Sequence, residues 1–549
     1  MDPVKDGWES EAFNTAAMEQ LHALEHLLSA PEPVAMDKLG GIAARTITSA
    51  PLRPANPVKV FADGRIEVFR APASTTTVPG IEGFTASLNA LKSTAPAIEP
   101  HFKIFRLERT SALSVSTSVV VDIAANGPGQ RRQFNGLWSC DWLTAAGEPP
   151  VMTALRVPQF EEVVQSNEGG TLFSDATASI IGKNRSWQEQ LLVPTDNWRA
   201  RLPRALGLDA VANHGLAIGD VNGDDLDDLY ICQQGGLPNR LFIQSPAGSL
   251  SDVTERSGTG WLDYCAAALF VDFDNDGDRD LVISQDLRVI VMSNDGTGRF
   301  TLEFGSSTKA QSFSLAAADY DNDGLVDFYV CGYNPSAAGM RGGAMGEPMP
   351  FNDANNGGRN ILWRNNGNFN FTDVTAATGL EQNNTRFSFA ATWEDYDNDG
   401  DQDLCVANDY GRKNLYRNDA GKFTDAAAAL GVEDRASGMS VSWADFDHNG
   451  FMDLYTSNMF SSAGNRITFQ QQFQANAPEN VRAGFQQIAR GNSLFQAVPG
   501  APFKDVSVQA GVTLGRWAWG SKFVDFNNDG LDDILVTNGF ITTADSGDL

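Results

Sequence analysis

A nine-residue acidic loop recurs six times in this chain, and that repetition limits the possible fold more than any other feature. The clearest copy is Asp272-Phe-Asp274-Asn-Asp276-Gly277-Asp-Arg-Asp280. Carboxylates stand at loop positions 1, 3, 5 and 9, and glycine stands at 6. Ca2+ takes about six to eight hard oxygen ligands, and glycine at the sixth place permits the sharp turn that wraps them around one ion. Position 7 would add a backbone carbonyl. The candidate ligands of the other copies are Asp220, Asn222, Asp224 and Asp228; Asp319, Asp321, Asp323 and Asp327; Asp395, Asp397, Asp399 and Asp403; Asp445, Asp447, Asn449 and Asp453; and Asp525, Asn527, Asp529 and Asp533. One such turn could be a solvated surface loop, whereas six in the same context point to up to six Ca2+ ions. The first copy departs at position 6, where Asp225 replaces glycine; aspartate tolerates the left-handed conformation better than most residues.

These loops are not EF-hands, which end on a glutamate at position 12 and lie between helices. Here the last carboxylate is at 9. The flanks are short runs of Val, Ile, Leu, Phe and Tyr, such as Leu229-Tyr-Ile231 and Ile534-Leu-Val536, which read as strands. The loop therefore joins two strands of one sheet, and a cation would tie the hairpin and cancel its self-repulsion.

From about residue 170 one unit repeats. A small, apolar strand leads into the acidic loop, and a second strand leads out. An Asn-containing turn precedes a third strand (Asn239–Ile243, Asn360–Trp363, Asn414–Tyr416, Asn492–Phe495), and a fourth strand follows (Leu250–Thr254, Phe371–Thr375, Phe423–Asp425, Phe503–Val506). Four antiparallel strands per unit, repeated, is the arithmetic of β-propeller blades. The expected fold is mainly β: a six- or seven-bladed propeller with Ca-binding hairpin loops over 166–549, preceded by a small α+β domain over 1–165. The sixth unit lacks room for its third and fourth strands, and Thr171–Thr177 reads as a stray fourth strand that could close the ring.

Units such as Trp393-Glu-Asp-Tyr-Asp-Asn-Asp-Gly-Asp-Gln-Asp-Leu404 with Asn414-Leu-Tyr-Arg-Asn418 resemble the FG-GAP/VCBS repeats. That family includes integrin α-subunit propellers and cartilage-acidic-protein-like proteins with an ASPIC/UnbV tail. The stretch Asn458-Met-Phe-Ser-Ser-Ala-Gly-Asn-Arg466 is similar to the latter group. The resemblance covers roughly 170–545 and implies calcium-stabilised blades with a role in adhesion or recognition.

The N-terminal stretch reads differently. Phe13, Ala17, Leu21, Leu24 and Leu28 recur at helical spacing, and Pro31 and Pro33 end the helix. His22 and His26 lie at i, i+4 on it, but no third ligand is near, so they read as solvated. A Pro, Ala, Ser and Thr-rich stretch follows, with a strand pair around Val58–Phe69. Four strand-like runs, Phe102–Leu107, Leu113–Ile123, Arg132–Leu143 and Met152–Val157, then suggest an α+β meander with Trp138 and Trp142 packed on it. It loosely resembles the cone-shaped nuclear-transport-factor-like fold. No acid–base pair or nucleophile arrangement stands out.

The net charge of -29 is concentrated in the loops and argues against a nucleic-acid partner, which needs a basic footprint. The five cysteines, Cys140, Cys232, Cys265, Cys331 and Cys405, form no CxxC and read as small buried apolar residues. No apolar run is long enough to span a membrane. The start, Met1-Asp-Pro-Val-Lys-Asp, lacks an export signal, and the end follows the sixth loop closely enough that a missing C-terminal segment is expected. Loops of this type favour an extracellular, cell-surface or periplasmic setting, where calcium is abundant.

In a four-stranded meander all six acidic loops fall at one end. Two insertions, at about 334–358 and 461–490, fall at the other, and that end is where a protein or glycan ligand is expected. The first carries Met340, Arg341, Met345 and Met349; the second has Val481, Phe485 and Ile488 on one helical face. His448 occupies position 4 of the fifth loop, pointing away from an ion, and His214 has no acidic partner in sequence. The leading reading is a recognition module. The alternatives are a polysaccharide lyase, which would need a general base and basic residues against an uronate, and a lectin, which would need aromatic platforms. Trp393, Trp443 and Trp519 recur on first strands, a position that reads as buried.

Overall fold

The computed structural model describes residues 9–74, 76–145, 147–166, 173–202, 214–335 and 353–539. Its contacts divide the chain into two units: residues up to Ser174 with Ser461–Gln486, and Asp175–Phe460 with the residues from Gln487 onward.

In the first unit, α1 (Glu9–Ser29) buries Phe13, Ala17, Leu21, Leu24 and Leu28, the residues whose spacing marked it, and leaves His22 and His26 exposed. The strands are β1 (Ala43–Ser49), β2 (Val58–Ala62), β3 (Ile66–Ala71), β4 (Val78–Pro79), β5 (Ala97–Ser111), β6 (Ser114–Gly127), β7 (Gln130–Ala145) and β8 (Glu148–Ser166). The main sheet runs β2-β3-β8-β7-β6-β5, and β1 pairs with β8 in parallel. A helix not foreseen from the sequence, α2 (Gly80–Lys92), buries Phe84, Leu88 and Leu91. Trp138 and Trp142 are core residues: Trp138 packs on Phe102 at 4.7 Å, and the Trp142 indole donates to Thr117 Oγ1 at 2.9 Å. A cavity lined by Leu52, Val121, Phe134, Trp138 and Phe160 holds only about 10 Å³, room for a single water.

Ser461–Gln486 belongs to this unit, which corrects the expectation of a second insertion presented on the rim of the repeat array. The reason is polar as well as apolar. Arg466 is 7% exposed, pairs with Glu11 at 2.8 Å and donates to the Ile104 carbonyl at 2.8 Å. The Arg106 guanidinium lies 4.0 Å from the Phe469 ring centre. A cation buried this deeply persists only where its donors are met.

The second unit is six antiparallel sheets taken in chain order. Their first strands are Leu216–Gly219, Cys265–Val271, Gln311–Ala318, Ser388–Glu394, Gly438–Ala444 and Ala518–Val524. Each enters an acidic loop and returns as a second strand that starts on the loop's ninth residue: Asp228–Ile231, Asp280–Gln285, Asp327–Asn334, Asp403–Asn408, Asp453–Asn458 and Asp533–Asn538. Third and fourth strands complete the first five sheets; among the described residues the sixth has two strands. This is the arrangement of β-propeller blades. Successive sheets bury aromatic rings between them, as where Phe273 meets Phe328 at 5.8 Å and Phe371 at 5.3 Å. All five cysteines are free and buried.

A single helical turn follows most fourth strands and recurs in phase. Asp252 and Asp373 accept the amides of Thr254 and Thr375, whose hydroxyls in turn accept the amides of Leu241 and Leu362 on the third strands. Asp505 and Ser507 repeat this with Leu494.

The described part of Thr171–Thr177 is not a strand. Asp175 accepts the Thr177 amide at 2.9 Å and starts a turn into the helix Thr177–Ile181. Ile181 then packs with Phe242 and Leu250, and Asn184 donates to the Leu250 carbonyl at 2.8 Å. The segment thus covers the outer strand of the first sheet. Met340, Arg341, Met345 and Met349 lie outside the described residues.

Candidate metal centre

The acidic loops share one backbone shape. Position 6 has positive φ in every copy: 65° at Asp225, 93° at Gly277, 88° at Gly324, 94° at Gly400, 86° at Gly450 and 84° at Gly530. Position 4 does too, at Gly223, Asn275, Asn322, Asn398, His448 and Asn528. The first loop therefore exchanges the two residue types, with glycine at 4 and aspartate at 6, and keeps the same turn.

The position 1 carboxylate collects the turn's amides. Asp395 accepts from Asp399 N at 3.0 Å and Gly400 N at 2.9 Å; Asp445 accepts from Asn449 N at 2.9 Å and Gly450 N at 2.8 Å. Asp319, Asp525 and Asp220 do the same with their own loops. At position 5 one side-chain oxygen accepts the amide two residues on, from Asp224, Asp276, Asp323, Asp399, Asn449 and Asp529 alike. These bonds fold the loop so that the remaining oxygens converge.

Position 9 is different. Asp228, Asp280, Asp327, Asp403 and Asp453 are at most 1% exposed. One oxygen of each accepts the position 2 amide of its own loop, and the other accepts an amide of the third strand: Gln244, Asn294, Asn365, Asn418 or Ala497. Each carboxylate staples three backbone segments together. Burial pushes Asp280 and Asp327 up to about 7, Asp403 up to about 8 and Asp453 up to about 6; the amides offset part of this and the other loop carboxylates add to it. Asp533 is exposed and accepts from Phe526 N at 3.3 Å.

Four loops bring candidate ligand atoms within 4.8 Å of one another: Asp272, Asp274 and Asp276; Asp319, Asp321 and Asp327; Asp395, Asp397 and Asp399; Asp445, Asp447 and Asp453. The chemistry of these sets fits a hard dication. Asp272 Oδ1, Asp321 Oδ1 and Asp397 Oδ1 are buried oxygens without a hydrogen-bond partner, and a buried anionic oxygen left bare is costly. In the third loop Arg364 pairs with Asp321 and Asp323, each at 2.8 Å, and so offsets part of the charge. Asp220, Asn222, Asp224 and Asp228, and Asp525, Asn527, Asp529 and Asp533, share the fold of the other loops but not the close carboxylate grouping. In each an amide, Asn222 or Asn527, replaces the position 3 carboxylate and donates to the position 5 aspartate.

Two sets of asparagines escaped the sequence reading. At position 4, Asn275 donates to the Gly324 carbonyl at 2.8 Å, Asn322 to Gly400 at 3.4 Å and Asn398 to Gly450 at 3.0 Å. Each ties one loop to the turn of the next. At the end of the third strand, Asn294, Asn365 and Asn418 donate to Val221, Phe273 and Tyr320 in the preceding loop, at 2.8, 2.7 and 2.8 Å. The signal was present in Asn414-Leu-Tyr-Arg-Asn418, whose final asparagine entered only as part of the family resemblance. His448 sits in the left-handed region at position 4, and His214 Nδ1 lies 3.0 Å from the Cys265 carbonyl.

The FG-GAP-like repeat model matches residues 220–283, 272–330 and 395–456. No curated protein matches the sequence. Among solved structures, an Agrocybe aegerita lectin that recognises non-reducing terminal N-acetylglucosamine is similar at 15% identity and TM-score 0.34, over 59% of this chain and 75% of its own. A putative scytalone dehydratase from Novosphingobium aromaticivorans is similar at 10% identity and TM-score 0.20, over 27% of this chain and 84% of its own. A hexachlorocyclohexane dehydrochlorinase from Novosphingobium barchaimii is similar at 15% identity and TM-score 0.20, over 28% and 90%.

Proposed function

Because this chain is an FG-GAP-repeat protein, we propose that it is a calcium-stabilised β-propeller of six or seven blades that acts as an extracellular recognition module. Ca2+ is held in the blade loops by positions 1, 3, 5 and 9, with position 9 also fixing the hairpin behind the ion, and a protein or glycan partner binds at the opposite end of the sheets. The proposed division is an N-terminal α+β domain over 1–165 and the propeller over 166–549. The observation that carries this reading is the set of bare, buried oxygens on Asp272, Asp321 and Asp397 inside three of the four carboxylate groups. A dication supplies the missing partner for all of them at once and relieves the repulsion within each loop.

Loops of this kind bind with affinities on the order of 0.1–1 mM, so they fill outside cells and stay largely empty in cytosol. Equilibrium dialysis of the chelator-treated chain against calcium tests the metal assignment. At least four ions per chain are expected, one for each carboxylate group, and the combined variant Asp272→Asn, Asp321→Asn, Asp397→Asn should lose those three sites. A chain that takes up no calcium at several millimolar would overturn it.

A further inference from the structure

Each complete third strand carries one residue just before the amide that its position 9 aspartate accepts: Ile243, Ser293, Arg364, Arg417 and Gln496. In the fifth sheet Gln496 donates to Asp447 at 2.5 Å, so a side chain here reaches position 3 of the loop. Arg364 reaches the third loop in the same way, and brings a charge. Its Nε lies 2.8 Å from Asp321 Oδ2 at position 3, and its Nη2 donates to Asp323 Oδ2 at position 5, also at 2.8 Å.

The effect shows in which carboxylates gather. In the second and fourth loops the close group is formed by positions 1, 3 and 5, whereas in the third it is Asp319, Asp321 and Asp327, at positions 1, 3 and 9. Asp323 Oδ1 already accepts the Leu325 amide at 3.0 Å, so Arg364 engages its second oxygen. The fifth loop also gathers positions 1, 3 and 9, but its position 5 is Asn449, which has no carboxylate to offer.

Arg417 holds the same place in the fourth sheet and is directed elsewhere. Its Nη2 and Nε donate to Asp419 Oδ2 at 2.8 and 3.2 Å. Asp419 follows the third strand directly. The matching residue in the third sheet is Asn366, whose amide donates to the Asn370 carbonyl at 2.9 Å and to Thr372 Oγ1 at 3.0 Å. One carboxylate thus decides where the arginine goes: Asp419 draws Arg417 aside, while beside Asn366 the arginine turns to its loop.

We infer that Arg364 is a built-in counter-cation of the third loop, which makes that loop the last of the carboxylate groups to take calcium. A guanidinium is permanently charged, and its fork suits two carboxylate oxygens at once. It relieves the repulsion of the metal-free loop. For Asp323 to serve as a ligand, Arg364 has to let go, and binding is weakened by what the pair contributed. That contribution is modest, because the Arg364 side chain is 38% exposed. Asp321 keeps one buried oxygen bare, so the loop is weakened and not closed. The inference rests on the calcium reading above and adds an order of filling to it.

The test is equilibrium dialysis of the full chain against calcium. The isotherm of the third loop is the difference between a chain and the same chain carrying Asp321→Asn; that of the fourth is read with Asp397→Asn. The third loop is expected to half-fill at about fivefold more calcium than the fourth. Arg364→Ser, the residue that the second sheet carries at this place, and Asn366→Asp should each remove most of that gap. Asp419→Asn should free Arg417 and weaken the fourth loop by a similar factor. Thermal melts separate this from a merely structural arginine: Arg364→Ser should melt lower than the unaltered chain in EGTA and recover in calcium. The inference is overturned if the third and fourth loops fill together, if neither Arg364→Ser nor Asn366→Asp moves the third isotherm, if Asp419→Asn leaves the fourth unmoved, or if Arg364→Ser melts lower by the same amount in both media. A third isotherm that ignores Arg364 would trace its weakness to Leu325, which stands at position 7 where the second and fourth loops have Asp278 and Asp401. Failure of the calcium reading itself shows separately, as a fourth loop that takes up no calcium either.

Discussion

Removing calcium should lower the melting temperature of the second unit by an amount that the four carboxylate groups allow to be worked out. A ligand held only by the folded state stabilises it by RT ln(1 + [L]/Kd). At 10 mM calcium and a Kd on the order of 0.1–1 mM, each site contributes about 1.4–2.7 kcal/mol. Four occupied groups give roughly 6–11 kcal/mol if the sheets unfold together. Domains of this size shift by about 2 °C per kcal/mol, so calorimetry in EGTA and in 10 mM calcium should differ by roughly 10–20 °C. Magnesium at the same concentration should do less, because it holds its water and demands octahedral geometry that a carboxylate loop of this span does not offer. A melt that is the same in EGTA and calcium would refute the reasoning, since no arrangement of bound ions confined to the folded state can leave it unmoved.

Substitution inside one loop should separate the ion-facing from the stapling carboxylates. Asp397→Asn should melt like the unaltered chain in EGTA and lose part of the calcium shift, whereas Asp403→Asn sets an amide NH2 against a backbone N–H and should cost about 2–4 kcal/mol with or without calcium, read by urea unfolding. Stability against pH should also change slope with the metal. Asp280, Asp327, Asp403 and Asp453 titrate between about 6 and about 8 in the metal-free fold, above the unfolded value of about 4. In EGTA, the stability these four carboxylates contribute should therefore be greatest below pH 4, fall as pH rises to about 8 and level off, while calcium, which favours the carboxylate, should flatten or reverse that fall; urea midpoints at pH 5 and 8 that are equal in EGTA would contradict it. Asp434→Ala should cost about 3–5 kcal/mol in the same assay, because Lys413, only 2% exposed and 3.0 Å away, would be left as a buried, unpaired charge.

The repeat was legible because one chemical requirement, a tight turn presenting oxygens, writes the same letters each time. Asp225 was readable as a left-handed residue because aspartate bonds locally, and its φ of 65° agrees. Less legible was everything set by distant partners. The burial of Asp403 depends on an amide from Asn418, and no local pattern distinguishes that staple from an ion ligand. The helix α2 was hidden in a stretch whose Pro, Ala, Ser and Thr content read as irregular, although Phe84, Leu88 and Leu91 stand at helical spacing. Ser461–Gln486 reads in sequence as a rim insertion because nothing local shows that Arg466 finds Glu11 across most of the chain's length.

The asparagine ties explain why the close carboxylate groups fall where they do. Asn275, Asn322 and Asn398 join the second loop to the third, the third to the fourth and the fourth to the fifth, each through the carbonyl of the next loop's turn glycine. Those four loops are the four that bring their carboxylates together. At the near end of this series the first loop has Gly223 at position 4, which offers no side chain to the second. At the far end the fifth has His448, too large and differently shaped to repeat the amide bond. Holding a turn glycine from outside fixes the loop around which like charges must gather, and it does so before any ion arrives. The ties therefore make the loops a connected series in which the geometry of one site depends on its neighbour, and disturbing Asn322 should reach the fourth loop through the Gly400 carbonyl and through Asp401 Oδ1, to which Asn322 also donates at 2.9 Å, without altering Asp395, Asp397 or Asp399.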